Sequence, residues 1–371
     1  MLNQTASMIE SPFPAEESSA LHPAIEILLT GNFEERWAMS KFLVKYGETV
    51  IIPLAEKLFD SNTDSDGRWY ILKVLSEFKH PQITLIISEL LQENIDDDLI
   101  ILATEILAKQ GKDALLPLLP LLNNSQYRLS VIKALAQVTY PEIISPLLNI
   151  INDDNPEVRR GALALLGGFN RPEITSALIH ALGDYNGIVR QEAIMGLTRQ
   201  MRFEDTETPV KLIIPYLDDV ALNVAQQACF SLSRFATPSA TLALYTTLIS
   251  DYTPTVLQKS LIQALAWQET AFSIECLGKA LSLVKESIIS EIIASFGRIN
   301  NQALYAQIAR ITIEFYEDNY PRKDDILIWQ NLCYTWQKLE IKESINQLKY
   351  MEESAQNSVK FHAQSALKAL R

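Results

Sequence analysis

Residues 155–169 read NPEVRRGALALLGGF, and this stretch sets out a pattern that recurs along the 371-residue chain. Val158 is followed by basic residues, then by the small residue Ala162 and, four positions further on, by Leu166. Residues four apart lie on the same face of an α-helix, so these three side chains form one apolar stripe over two turns. The stretch therefore predicts a helix that buries one of its faces.

The same stripe can be placed eleven times when its last large residue, here Leu166, is used as an anchor. Successive anchors lie 28 to 40 residues apart, with a mean spacing near 32. The anchors are Leu43, Leu75, Leu107, Leu135, Leu166, Leu197, Leu232, Leu265, Phe296, Trp336 and Leu367. The residues four before them are all nonpolar: Met39, Ile71, Ala103, Val131, Ala162, Ala193, Ala228, Leu261, Ile292, Leu332 and Ala363. An internal period of this length is typical of a repeat protein.

A second apolar stretch follows most anchors after a short break, as in PQITLIISELL (81–91) and PEITSALIHAL (172–182). The prolines that open these stretches suit the first turn of a helix, where a missing N–H breaks no hydrogen bond. Each repeat is therefore predicted to be a helix–turn–helix hairpin, which buries its stripe only by stacking on its neighbours. We predict an all-α fold, a right-handed α-solenoid of about eleven such repeats.

The domain organisation is predicted from where the repeats begin and from where the spacing between anchors is longest. Residues 1–20 are rich in Ser, Pro and Glu and carry no anchor, so we predict a flexible N-terminal tail. Residues 21–371 form the predicted solenoid. The largest spacing, 40 residues, lies between Phe296 and Trp336, and we predict its extra length as an insertion near 314–325, in a loop.

Composition narrows the range of partners. The net charge of -13 repels phosphate backbones and anionic lipids, so we expect neither nucleic-acid binding nor membrane insertion. The most apolar run, residues 114–122, is far too short to span a bilayer. The cysteines, Cys229, Cys276 and Cys333, form no CxxC pair and suit a reducing compartment, so we expect a cytoplasmic protein.

The residues around Leu166 carry a family resemblance. The run DDNPEVRRGA, from Asp153 to Ala162, strongly resembles the bacterial HEAT repeat of the phycobilisome-lyase type, and residues 184–193 and 359–367 repeat parts of the same motif. The resemblance covers roughly residues 22–371 and implies that the predicted hairpins are HEAT-like. It is specific for the kind of repeat, whereas such repeats bind many different partners.

Two groups of cyanobacterial proteins carry this type of repeat. One comprises bilin lyases and lyase-like chaperones, which attach or detach the chromophores of phycobiliproteins; the other binds the A-type iron–sulfur carrier IscA. The opening Glu35-Arg36-Trp37, the repeat number and the chain length are more similar to the second group. The resemblance therefore implies a non-catalytic scaffold or adaptor, with an A-type iron–sulfur carrier as partner. The alternative is a phycobilin lyase or lyase-chaperone subunit.

A basic residue recurs seven positions before the anchor. Its six occurrences, where chance would give about one, are Arg36, Arg68, Arg128, Arg159, Arg190 and Lys360. These cations could face a carboxylate-rich ligand, or they could bond an acidic residue or a carbonyl of a neighbouring turn. The forked guanidinium suits the second role, and we favour a structural ladder.

The sequence contains no recognisable catalytic or metal-binding motif. It lacks HExxH, a Gly-rich phosphate loop and GxSxG, so we predict no catalytic residue, no metal site and no bound cofactor, although a partner could bring a bilin or an iron–sulfur cluster. Second helices usually line the concave surface of such a solenoid, and we expect another protein to bind there. Aromatic side chains dominate interface hot spots. Our contact candidates are His180, Tyr216, Tyr245 and Trp267.

Overall fold

A computed structural model describes residues 15–93, 95–136, 140–200, 206–320, 326–354 and 356–370, with side chains from residue 21 onward. Within these ranges the chain forms twenty-two α-helices, joined by turns and short 3-10 segments, and no strand. The chain divides after Leu166 into two compact units, which we call unit 1 (residues 1–166) and unit 2 (residues 167–371).

Unit 1 contains ten α-helices. They are α1 (Ala15–Thr30), α2 (Phe33–Val44), α3 (Ile51–Leu58), α4 (Ser65–Leu75), α5 (Pro81–Leu90), α6 (Asp97–Lys109), α7 (Leu115–Leu118), α8 (Arg128–Leu135), α9 (Ile144–Leu148) and α10 (Pro156–Leu166). The even-numbered helices carry the anchors, and each packs against the next even-numbered helix. The odd-numbered helices after α1 are the second helices of the hairpins.

Unit 2 contains the remaining twelve α-helices. They are α11 (Pro172–Ala181), α12 (Gly187–Arg199), α13 (Glu207–Ile213), α14 (Leu222–Phe235), α15 (Pro238–Leu248), α16 (Thr255–Trp267), α17 (Ala271–Ala280), α18 (Glu286–Phe296), α19 (Tyr305–Asn319), α20 (Ile326–Lys338), α21 (Ile345–Glu352) and α22 (Asn357–Leu370). Each first helix from α12 to α22 packs against the next first helix. The second helices α13, α15, α17 and α19 pack against one another in the same way and form a second layer.

The predicted stripe forms the core of each layer. All eleven anchors are buried, and so are ten of the eleven residues four positions before them. Met39 is the exception and is half-buried. Burial of one such side chain contributes about 1.5–3 kcal/mol, so the repeated stripe supplies a large part of the force that joins neighbouring hairpins. The prediction of an all-α solenoid is confirmed.

Several second helices are much shorter than the apolar stretches that predict them. In residues 111–123 the α-helical part is only the four-residue α7, and 3-10 segments flank it on both sides. Pro120 sits in the second of these segments, since a proline cannot donate the hydrogen bond of a helix interior. Pro215 lies likewise in the 3-10 segment that follows α13.

The ends of the repeat array differ from the predicted boundaries. Helix α1 begins at Ala15, inside the range predicted as a tail, while residues 1–14 lie outside the described residues. Helix α1 packs against α2 and α4. The last anchor, Leu367, lies in α22, which runs to Leu370 near the end of the sequence.

The insertion predicted near 314–325 is, in its first half, not a loop. Residues 314–319 complete α19, and residues 321–325 lie outside the described residues. The lengthened helix brings Tyr316 against Trp336, with ring centroids 5.8 Å apart, and Tyr320 against Trp329, 4.9 Å apart. Aromatic packing of this kind stabilises a helix even where the residue types would also suit a turn.

Candidate protein-binding face

The recurring arginines donate to the loops between hairpins. Arg190 binds Asp219 through two hydrogen bonds of 2.8 and 2.6 Å and donates a third, of 2.8 Å, to the carbonyl of Asp184. The Asp219 carboxylate also accepts from the backbone N–H of Ala221. Burial works to raise the pKa of Asp219, but the hydrogen bonds from Arg190 and Ala221 outweigh it and hold the pKa below its ordinary value.

Unit 1 repeats this geometry at Asp153. Arg128 forms an ion pair with the Asp153 carboxylate and donates to the carbonyl of Leu122 at 2.7 Å. Arg159, which is 4% exposed, donates to the backbone carbonyl of Asp153 at 2.7 Å. Each guanidinium therefore contacts the turn that precedes its own helix, and Arg128 also reaches the following turn.

The first two arginines and the lysine make weaker or different contacts. Arg36 donates to the carbonyls of Gly31 and Leu29, and Arg68 pairs with the half-exposed Glu93 at 3.4 Å. Lys360 is exposed and forms no ion pair with a described residue. The ladder positions therefore differ widely. Arg190 donates two hydrogen bonds to Asp219, whereas Lys360 forms no ion pair with a described residue.

After residue 200 the equivalent positions hold no cation, and all four side chains are buried: Ala225, Gln258, Ile289 and Trp329. The amide of Gln258 still donates to the preceding turn, at the carbonyl of Leu248, over 3.1 Å. At these ladder positions apolar contact therefore replaces the arginines, and Gln258 keeps a hydrogen bond to the preceding turn.

Two of the predicted contact residues lie at the ends of second helices. His180 is exposed in the last turn of α11, and Tyr245 is half-buried in the last turn of α15. Tyr216 also lies in this layer, but its hydroxyl donates to the carbonyl of Leu182 at 2.8 Å, and burial raises its pKa. Trp267 lies outside the layer of second helices, because it is the last residue of the first helix α16. Its ring centroid lies 5.5 Å from that of Phe230, and the side chain is 58% exposed.

A row of exposed side chains that begins at His180, most of them basic, was not predicted from the sequence. Fourteen residues after successive anchors, the second helices of unit 2 carry His180, Lys211, Thr246, Lys279 and Arg310, and all five are exposed. We call these five residues the basic row. Lys211 lies in the last turn of the short helix α13, whereas Arg310 lies near the middle of the longer α19. Aligning the repeats at this position, and not only seven before the anchor, would have revealed the row.

Two grooves lie between second helices of unit 2, and members of the basic row line the first of them. One, of about 530 Å³, lies between α17 and α19 and is lined by Lys279, Arg310 and Phe315 together with the carboxylates Glu275, Glu314 and Asp318. Arg310 lies 3.9 Å from Glu314. The other, of about 360 Å³, lies between α11 and α13. Lys279 pairs with Glu275 at 2.7 Å, which raises the pKa of Lys279, and the phenol of Tyr245 raises it slightly further. Tyr245 therefore lies close to the row.

The described residues offer little metal or nucleophile chemistry. No group of three His, Cys, Asp or Glu side chains there is placed to hold a metal ion. Cys276, like Cys229 and Cys333, is buried as a free thiol, and burial raises the pKa of all three thiols. No helix of the described chain has both the length and the hydropathy that crossing a membrane requires.

Comparison with known proteins agrees with this architecture. A family model described as HEAT repeats matches residues 113–198 and 144–218. Crystal structures of Kap121p bound to Nup53p and to Ste12p each resemble the chain with a TM-score of 0.52 at 14% identity, over 97% of this chain and 50% of Kap121p. The fold is an α-solenoid. Identity this low establishes likeness of fold alone, and the chain spans half the length of Kap121p. No curated protein gives a significant sequence match.

Proposed function

We propose that the chain is a protein-binding scaffold whose unit 2 binds an acidic segment of a partner along the basic row. The observation that carries this proposal is the row itself, in which four of five successive second helices present a basic side chain at the same count from the anchor. Second helices pack about 8–10 Å apart, so the row offers Lys211, Lys279 and Arg310 to one extended chain, with the neutral Thr246 between Lys211 and Lys279. The similar fold of Kap121p, which has been crystallised bound to Nup53p and to Ste12p, supports this kind of function.

The charges of the row are exposed, which determines what they can contribute. Exposed ion pairs are individually worth about 0–1 kcal/mol, so the row would set orientation and association rate more than affinity. Affinity then depends on apolar contacts beside the row. Tyr245 and the groove next to Phe315 provide such contacts.

For the identity of the partner we keep the hypothesis of an A-type iron–sulfur carrier, bound by a scaffold that is not itself catalytic. The alternative remains a phycobilin lyase or lyase-chaperone subunit. Arg128, Arg159 and Arg190 already donate to the protein's own loops, which disfavours them as partners for bilin propionates. Co-expression with a bilin supply decides this alternative, because a coloured stoichiometric complex would replace the scaffold hypothesis.

The row is tested with the double variant Lys211→Glu/Arg310→Glu in the full chain. Proteins captured by the wild type are identified by mass spectrometry, and the partner is then purified and titrated directly. We expect the variant to weaken binding about tenfold or more, with a loss that shrinks at high salt. The control variant Lys349→Glu/Lys368→Glu changes two exposed lysines of α21 and α22 and should bind normally.

Two results would contradict these proposals separately. Equal binding by the wild type and the Lys211→Glu/Arg310→Glu variant would exclude the row as the binding site. Failure of a purified A-type carrier to associate with the purified chain would exclude that partner, while leaving other partners of the row to be found.

A further inference from the structure

The outward-facing side of the first helices changes character along the chain. Six residues before the anchor, the first four repeats carry Trp37, Trp69, Ile101 and Leu129. The last repeat carries Phe361, and the six repeats between carry polar residues at this position: Arg160, Gln191, Gln226, Lys259, Ser290 and Gln330. The contrast shows that the position does not require an apolar side chain for folding. Four consecutive apolar side chains there need another explanation.

The four apolar side chains of α2, α4, α6 and α8 are accessible. Trp37 is 54% exposed, Ile101 is 42% exposed, and Trp69 and Leu129 are half-buried. Phe33 lies one turn before Trp37, stacks on it with ring centroids 6.4 Å apart and is 71% exposed. An apolar surface that continues over several helices marks an interaction site more often than isolated exposed side chains do.

A row of lysines runs beside these apolar side chains. Four residues further along the same helices, and hence on the same face, stand Lys41, Lys73, Glu105 and Lys133, all exposed. The ammonium groups of Lys41 and Lys73 lie 5.1 Å from the ring centroids of Trp37 and Trp69. None of the three lysines forms an ion pair with a described residue. Their charges are therefore available to an outside anion.

The two rows join into one surface, which we call the outer stripe: Trp37, Trp69, Ile101 and Leu129 with Lys41, Lys73 and Lys133. Glu105 interrupts the lysines at the third helix of the stripe. A cleft of about 190 Å³ between α2 and α4 is lined jointly by both tryptophans and by Lys41 and Lys73. The side chains of these neighbouring repeats thus face a common space. All members of the outer stripe belong to unit 1.

We propose that the outer stripe binds an acidic amphipathic helix of a partner protein. Adjacent first helices pack about 8–10 Å apart, so four of them span about 25–30 Å. A helix rises about 10.5 Å over seven residues, so leucines seven apart would meet successive apolar positions. About twenty residues would cover all four. Carboxylates one turn from those leucines would meet Lys41, Lys73 and Lys133.

An acidic helix fits this surface better than nucleic acid does. The chain has a net charge of -13, which opposes any long polyanion, whereas three lysines beside four apolar side chains match a short acidic and apolar face. The proposal is independent of the basic row, because it concerns different residues on the first helices of unit 1.

The test uses a fluorescein-labelled peptide of three heptads, with leucine at the a and d positions and glutamate at most others, titrated against the full chain by fluorescence anisotropy. We expect saturable binding that Lys41→Glu/Lys73→Glu weakens about tenfold or more. The matched control, Lys349→Glu/Lys368→Glu, should bind as the wild type does. All four lysines are exposed, so neither variant should disturb the fold.

The apolar part is tested with Trp37→Ala against Phe361→Ala. Phe361 stands at the same register position in α22 and is 68% exposed, so it controls for loss of a surface aromatic ring. Only Trp37→Ala should weaken peptide binding. A peptide with lysine in place of glutamate, and one with a central proline that breaks the helix, should both fail to bind.

Several outcomes would overturn the proposal. They are the absence of saturable binding, equal binding of the lysine or proline peptide, and unchanged affinity in Lys41→Glu/Lys73→Glu. Loss of peptide binding in Lys211→Glu/Arg310→Glu alone would instead assign the peptide to the basic row. Sedimentation with phosphatidylserine vesicles that depends on Lys41 and Lys73, without peptide binding, would show that the surface recognises lipid.

Discussion

At the scale of single residues, the pair between Arg190 and Asp219 joins α12 to the turn that follows α13. Both side chains are mostly buried, at 12% and 7% exposure, and two hydrogen bonds join them. Removing one partner of such a pair leaves the other charge poorly solvated. We therefore expect Asp219→Asn to lower the free energy of unfolding at neutral pH by about 2 kcal/mol, since Arg190 keeps its bond to the Asp184 carbonyl. Urea denaturation measures this change.

The same pair predicts a pH dependence. Because the folded-state pKa of Asp219 lies below its ordinary value of 3.8, its contribution is complete above that value and is lost as the pH falls through the folded pKa. The stability difference between the wild type and Asp219→Asn should therefore be constant near neutral pH and shrink in strong acid. Asp251→Asn, in an exposed turn of unit 2, serves as the control. If the stability difference between the wild type and Asp219→Asn grew on acidification, the ionised Asp219 carboxylate would not be the source of the stabilisation.

The three cysteines allow a second test at this scale. Burial raises the pKa of Cys229 and of Cys333 to about 12, and Cys276 is shifted in the same direction. A raised pKa lowers the thiolate fraction, and only the thiolate reacts quickly. We expect Ellman's reagent at about pH 8 to leave all three thiols unmodified in the native protein and to modify three after denaturation. Val220→Cys, at a position 99% exposed, should add one fast-reacting thiol. Fast labelling of the wild type would contradict the burial.

At the scale of helices, close approach between α8 and α10 depends on Gly161. A Cβ atom at this position would lie 2.6 Å from the Cγ2 of Ile132, a stiff β-branched side chain that is itself 5% exposed. We expect Gly161→Ala to lower the free energy of unfolding by about 1–3 kcal/mol, although alanine favours a helix. Gly183→Ala, whose added Cβ would meet only ordinary contact, should not destabilise. Equal stability of both variants would mean that α8 and α10 separate easily.

The helices also show how far sequence alone predicts this fold. A strict stripe of apolar residues predicted every first helix, because the stripe is the surface on which neighbouring hairpins stack. Second helices were predicted less well, since Pro120 and Pro215 confine α-helix to short segments. The run around Tyr316 and Tyr320 contains residues that suit a turn, and only its packing on Trp329 and Trp336 explains the helix there. Such tertiary contacts are not visible in a local pattern.

The whole molecule shows why binding surfaces were harder to predict than the core. Core positions repeat in every hairpin, so their pattern is visible eleven times. The basic row and the outer stripe each occupy a few repeats and differ from their neighbours at a single register position, for example Lys279 in one case and Trp69 in the other. They stand out only after the buried positions are known. Of the contact candidates, His180 belongs to the row and Tyr245 lies close to it, and the roles of both stay predictions.

The repeat architecture also predicts how a defect spreads through the whole chain. Each first helix packs chiefly on its immediate neighbours, so the stability of such a protein is a sum of local terms. Leu261→Ala creates a cavity at a fully buried site in α16, at a cost of about 2–5 kcal/mol. Hydrogen exchange should therefore accelerate in α14, α16 and α18 and remain unchanged in α4 and α6. Leu242→Ala, at a site 51% exposed, should change neither group. Equal acceleration in α4 and α16 would mean that the chain unfolds as one cooperative block, because a purely local loss at α16 could not reach a helix that distant in sequence.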